Sequence, residues 1–177
     1  PFTSGGARWN VMAAYGAQIE QGKSPADATQ YLYDLYKHIS VQDDSARDSL
    51  TTFTNGKGDV LLAYENEAIA AKQAGQDIDY VVPDQTILIQ NPIAVTATSK
   101  NPEKAKAFIA FLRSDAGQKI FASKGSRPIK DSLVDKSKFP TPAKLFTIDD
   151  VGGWSTVNDE FFDPDNGVVA KIEKSLG

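Results

Sequence analysis

Apolar side chains occupy almost every turn of residues 6–20, where Trp9, Val11, Met12, Ala13, Ala14, Tyr15 and Ala17 leave no polar stripe. Such a run predicts a helix from about Gly6 to Glu20 that is buried on more than one side. The next stretch is patterned differently. Ala28, Tyr31, Leu32, Leu35 and Ile39 recur at helical spacing and form one core face. Ser24 is placed to cap this second helix, with Pro25 at its first position and Asp27 at its third. A short strand is expected around Ser40–Gln42. Ser45 and Asp48 then have capping-box spacing for a third helix, with Leu50 and Phe53 facing inward and Gly56 or Gly58 at its end. The short apolar run DVLLAY (59–64) predicts a buried strand, ENEAIAAKQAG a helix closed by Gly75, and DYVVP and TILIQ are strand-like.

Strands alternating with helices predict an α/β lobe whose sheet is mainly parallel and flanked by helices. Beyond NPIAVTAT the texture changes. NPEKAKAFIAFLRSDAGQKIFASKG reads as two amphipathic helices, the first with Pro102 at its start, and RPIKDSLVDKSKFPTPAK as extended surface chain. The last 33 or so residues are expected to hold a short strand or turn and a closing helix. A length of 177 residues fits one domain, or one large lobe with pieces of another. With 41% hydrophobic and 24% charged residues the chain has ordinary globular composition, and no apolar run is long enough to span a bilayer. No targeting segment is present, and a start at Pro1 suggests a processed product. The absence of cysteine excludes disulfides and thiol chemistry. A net charge of −4 without a basic stripe argues against nucleic acid as a partner.

Catalytic constellations are sparse. His38, the single histidine, sits near the end of the second helix, where a positive charge suits the helix dipole better than catalysis explains it. DPDNG (163–167) lacks the spacing and closing glutamate of a calcium loop and reads as a turn, so no metal is expected. Glu65 and Glu67 could serve as catalytic carboxylates, but a solvated first helical turn accounts for them. The expectation is therefore a protein that is not an enzyme and needs no cofactor.

Two helix starts carry more. SGG (4–6) and DSARDS (44–49) each open a predicted helix after a predicted strand, which places both at the carboxyl edge of one parallel sheet. The strand ending at Tyr64 reaches the same edge. Unpaired N–H groups at two helix N-termini, a serine hydroxyl and a tyrosine would together form a cradle of neutral donors for an anion, indifferent to the negative net charge. Two ordinarily capped helices explain the same residues.

SGGARWN, then D-x-x-ARxS, then GDVLLAYENEA, then LFTIDD-x-GGW, in that order from Pro1 to the C-terminus, resemble the sulfate-binding proteins of bacterial sulfate and thiosulfate ABC transporters. The resemblance implies a type II periplasmic-binding-protein fold, in which sulfate is enclosed between two lobes by uncharged donors. Carried onto this sequence, Ser4 gives its hydroxyl, Gly5 and Gly6 their backbone N–H groups, and Ala46 the N–H that opens the other helix. Tyr64 stands where the family has tryptophan, and its hydroxyl would lie elsewhere than an indole N–H. Arg8, Ser45 and Arg47 would stand behind these contacts, with Arg47 neutralising nearby carboxylates. Ser45 replaces a family glycine, and Asp44 and Asp48 bring carboxylates close to the anion. Were phosphate to bind as tightly as sulfate, Asp44 would be the residue expected to accept the phosphate proton.

The same resemblance implies that residues 1–90 are most of the second, anion-binding lobe, 91–130 a crossing strand and helices belonging to the first lobe, and 131–177 a return to the second. The rest of the first lobe would precede Pro1. The implied function is an extracytoplasmic solute-binding component, periplasmic or a cell-surface lipoprotein, that delivers sulfate or thiosulfate to a permease and its ATPase. Binding of molybdate or phosphate, or a hydrolase acting on an anionic ester, are the alternatives. Ile93, Val95, Phe108, Ile109, Phe111, Leu112, Ile120 and Phe121 should not all stay in water, so they are expected to fold back, to pair with another copy of the fragment, or to hold a first-lobe segment.

Overall fold

Ser4 begins the ordered chain of helices. The computed structural model describes all residues, Pro1–Gly177, and in it the Ser4 hydroxyl oxygen accepts from the Ala7 N–H at 3.3 Å to cap α1 (Gly5–Glu20). Ser24 caps α2 (Pro25–Tyr36) by accepting from the Asp27 N–H. Ser45 caps α3 (Ala46–Thr54), its hydroxyl accepting from the Asp48 N–H at 3.1 Å and donating to the Asp48 carboxylate at 2.6 Å. Satisfying a helix's orphan N–H in this way stabilises it by about 1 kcal/mol. Then come α4 (Glu65–Gln73), β1 (Gln85–Ile87), α5 (Pro102–Arg113), α6 (Asp115–Ser123), β2 (Lys144–Phe146), α7 (Gly153–Phe161) and α8 (Val168–Leu176). Single 3-10 turns lie at Asp131–Leu133 and Asp149–Val151.

The chain divides into two compact units. One comprises residues 1–64, 80–89 and 142–177. In it β1 and β2 pair in parallel, with Gln85 opposite Lys144 and Ile87 opposite Phe146. The α1 helix packs on α2 and β1, and α8 on α2 and α7. Met12, Leu32, Phe146, Val157 and Val169 are fully buried at the centre. Around them Trp9 meets Trp154, and Tyr15 meets Phe161, each edge-on at 4.7 Å, a geometry favoured by the ring quadrupoles.

The other unit comprises residues 65–79 and 90–141. Arg127 grips both carboxylate oxygens of Glu65 at 2.6 and 2.7 Å, donates to the Pro140 carbonyl at 2.6 Å and lies over the Phe139 ring. Gln118 is buried and ties two segments, donating to the Leu112 carbonyl and accepting from the Ile129 N–H.

Several expectations are corrected. The sheet is one parallel pair. Residues 40–42, 59–64, 80–83 and 91–98 form no strand, and TILIQ contributes only its first two residues, the end of β1. An apolar run records that a segment would suit a sheet, but a strand also needs a neighbour to receive its N–H and C=O groups. Without one, Val60 stays 81% exposed. Hence α3 follows no strand, and residues 1–4 before α1 form none, so no sheet edge among these residues joins the two helix starts. In α2 the buried aromatic is Tyr36, while Tyr31 is exposed. Glu67 is buried and Glu65 is ion-paired, so they are not a solvated first turn. The segment 127–144 is not wholly surface chain, because Phe139 is fully buried. The tail holds two helices, α7 and α8, where one was expected. The apolar residues of α5 and α6 do not fold inward either: Phe108 is 58% and Ile120 54% exposed, and α5 buries no residue.

Candidate anion-binding site

Although no sheet edge brings them together, the two predicted helix starts meet directly. A Cβ placed on Gly6 would stand 3.2 Å from the Ala46 Cβ and 3.3 Å from the Tyr64 hydroxyl oxygen. The first turns of α1 and α3 and the end of the 59–64 segment thus close on one another, and glycine at position 6 leaves that approach uncrowded. Between them lies a cavity of about 40 Å³. Ser4, Gly6, Ala7 and Asn10 line it from α1; Asp43, Ala46 and Ser49 from α3 and the loop before it; Leu62, Ala63 and Tyr64 from the 59–64 segment.

The first N–H groups of a helix have no partner within it and carry the positive end of its dipole. Two such ends at one cavity make a positive potential without a cationic side chain. The Ser4 oxygen accepts from Ala7, which leaves the hydroxyl proton available to donate, since a serine hydroxyl does both. Asp43 is the one ionisable carboxylate lining the cavity, and one of its oxygens already accepts from the Thr52 hydroxyl at 2.9 Å. Asp44, the carboxylate expected to face the anion, does not line it.

Ser4, Gly6, Ala46 and Tyr64 come together here. Gly5, Arg8, Ser45 and Arg47 do not line the cavity. Gly5 is exposed, with open space around any added Cβ. Arg8 donates to the Pro1 carbonyl at 3.0 Å and to the Asn158 side chain at 2.8 Å, and lies 5.0 Å from the centre of the Phe162 ring. It therefore moors residues 1–3 to α7. Ser45 is engaged as the α3 cap. Asn10, Asp43 and Ser49 were missed. Helical spacing was the available signal: Asn10 stands four residues after Gly6, and Ser49 three after Ala46.

Comparison with known proteins decides the family. The family described as bacterial extracellular solute-binding protein matches residues 2–127. The chain belongs to that family. Within it, the sulfate-binding protein of Synechococcus elongatus is 40% identical, the match covering 99% of this chain and 52% of the relative. The sulfate-binding protein of Escherichia coli K12 is 38% identical over 98% of this chain and 56% of the relative. The thiosulfate-binding protein of Pseudomonas aeruginosa is 32% identical, covering 97% and 54%. Among solved structures, the sulfate-binding protein SubI from Mycobacterium tuberculosis H37Rv superposes with a TM-score of 0.81 at 39% identity, covering 89% of this chain and 56% of that one. The α/β fold is thus that of a solute-binding protein. This chain spans about half the length of the relatives it matches.

Proposed function

We propose that this chain is the anion-binding half of an extracytoplasmic solute-binding protein that delivers sulfate or thiosulfate to an ABC permease and its ATPase. The observation that carries the reading is the meeting of two helix N-termini, with Ser4 and Tyr64 beside them, around one small cavity. Ser4, Gly6, Ala46 and Tyr64, which line it, are its proposed donors, and the backbone N–H of Gly5, outside the lining but in the same first turn of α1, is proposed beside them. The names of the similar proteins supply the ligand. In this reading residues 1–90 and 131–177 belong to one lobe and 91–130 to the other, although residues 65–79 and 131–141 pack in the compact unit that holds 91–130; the remainder of the other lobe corresponds to the part of the relatives that this chain does not span. A hydrolytic role for Glu65 has less support, because Arg127 holds both of its carboxylate oxygens.

Thermal melts with sodium sulfate, thiosulfate, molybdate and phosphate at constant ionic strength test the reading. A receptor is stabilised by free anion in proportion to ln(1 + L/Kd), with L the free anion concentration, whereas a hydrolase turns over a chromogenic sulfate or phosphate ester. Sulfate is a dianion that only accepts hydrogen bonds, and phosphate keeps a proton near neutrality. With Asp43, the one carboxylate in the lining, already accepting from Thr52, that proton is left unpaired at a cost of roughly 1–3 kcal/mol, so sulfate is expected to bind about tenfold or more tighter than phosphate. Equal affinity would overturn the donor-only description and point to Asp43 as the acceptor.

The exposed apolar face of α5 and α6, with Phe108, Phe111, Ile120 and Phe121 outward, is where this reading seats the remainder of the other lobe. In a preparation of residues 1–177 alone, two copies of the chain should cover the face by pairing. Light scattering is expected to show mass rising with concentration above a monomer; a monomer at all concentrations would refute it.

A further inference from the structure

We infer that Asn10 is a positioning residue of the cradle: its side-chain amide holds the Leu62 carbonyl and so sets where the Tyr64 hydroxyl stands over the first turn of α1. The inference rests on the anion reading of the same cavity. Residues 59–64 belong to no helix or strand, and Val60 and Leu62 are exposed. Side-chain burial therefore anchors this segment weakly, and sheet hydrogen bonds do not anchor it at all. Against that background the Asn10 Nδ2 donates to the Leu62 carbonyl oxygen at 2.9 Å, across 52 residues of chain.

The bond is placed to matter. Asn10 lies one helical turn beyond Gly6 and lines the cavity beside it. Tyr64 follows Leu62 by two residues, so fixing the Leu62 peptide plane fixes the backbone from which the tyrosine ring projects. The tolerance is small: the Tyr64 oxygen is only 3.3 Å from where a Gly6 Cβ would be. Asparagine suits the task because its amide donates to a carbonyl, whereas an ionised aspartate of the same size offers only acceptors.

The test is an NMR titration of the chain with sodium sulfate at constant ionic strength, following the Gly5, Gly6 and Ala46 amides. The variants are Asn10→Ala, Asn10→Asp, Tyr64→Phe and the double variant Asn10→Ala/Tyr64→Phe, with Ser4→Ala as a cradle control. Asn10→Ala is expected to weaken sulfate binding roughly three- to tenfold. In the Tyr64→Phe background the same change should cost less than about twofold, because the group it positions is gone. Asn10→Asp should bind no better than Asn10→Ala, and it carries the same comparison where the alanine variant does not fold. A structural role unrelated to Tyr64 would instead give independent losses that multiply. That result overturns the inference, as does wild-type affinity in Asn10→Ala while Ser4→Ala binds weakly; the anion reading survives both. A folded, unaltered chain whose amides ignore sulfate overturns the anion reading, and this inference with it.

Discussion

Gly6→Val is expected to abolish measurable sulfate binding while the chain stays folded. Even a bare Cβ at position 6 would press on the Ala46 Cβ at 3.2 Å and the Tyr64 oxygen at 3.3 Å. Valine adds two methyl groups beyond it, among the residues that line the cavity. The helix itself does not suffer, because valine is a better helix former than glycine. The loss falls on the anion instead. Hydrogen bonds to a charged group contribute roughly 1.5–3 kcal/mol each, so displacing two predicts a loss of about 100-fold or more. Gly5→Ala is the matched control: nothing lies within 4 Å of its added Cβ, and binding should change by less than about twofold. Titration with sodium sulfate reads both. A Gly6→Val chain that binds like its parent would remove the cavity from the mechanism.

Gly16→Val is expected to lower stability by about 3 kcal/mol or more, the largest loss from any single change proposed for this chain. A Cβ at position 16 of α1 would stand 2.2 Å from the Cε2 and 2.5 Å from the Cζ of Phe146. That ring is fully buried and belongs to β2, so it has no solvent to swing into. Glycine is tolerated within the helix, despite a propensity cost of about 1 kcal/mol, because α1 must pass directly over the ring. For a chain of this length the loss corresponds to a fall in melting temperature of roughly 6–12 °C. Phe146→Leu in the same chain should restore part of it, since the smaller side chain vacates the contested space and the two changes are then non-additive. Denaturant unfolding of the two single variants and the double variant checks this. Simple additivity would mean that Gly16 and Phe146 are not in contact.

Helix caps were legible from the sequence because their determinants are local. Ser4, Ser24 and Ser45 each act within three residues of themselves, and Gly56 and Gly75 end α3 and α4 at positive φ. The family blocks were legible for a related reason: SGGARWN and GDVLLAYENEA are contiguous strings. Strands were legible only in part: TILIQ overlaps β1 and the short strand expected in the tail is β2, but the other apolar runs form none. Whether DVLLAY becomes a strand depends on a partner elsewhere in the chain, and none of its residues states whether one exists.

The sequence by itself determined which residues could donate to an anion, since that depends only on residue type and on position in a helix's first turn. Tertiary structure alone decided which of them share a cavity. Ser4, Gly6, Ala46 and Tyr64 do, whereas Arg8 turns to Pro1 and Asn158. It also chose Asp43 over Asp44 as the carboxylate lining the cavity, and enlisted Asn10 through a bond spanning 52 residues. The physical reason is range. A cap or a helical stripe is settled by energies acting within a turn or two, while a cavity is settled by how close three distant segments can pack, and here Gly6 sets that distance.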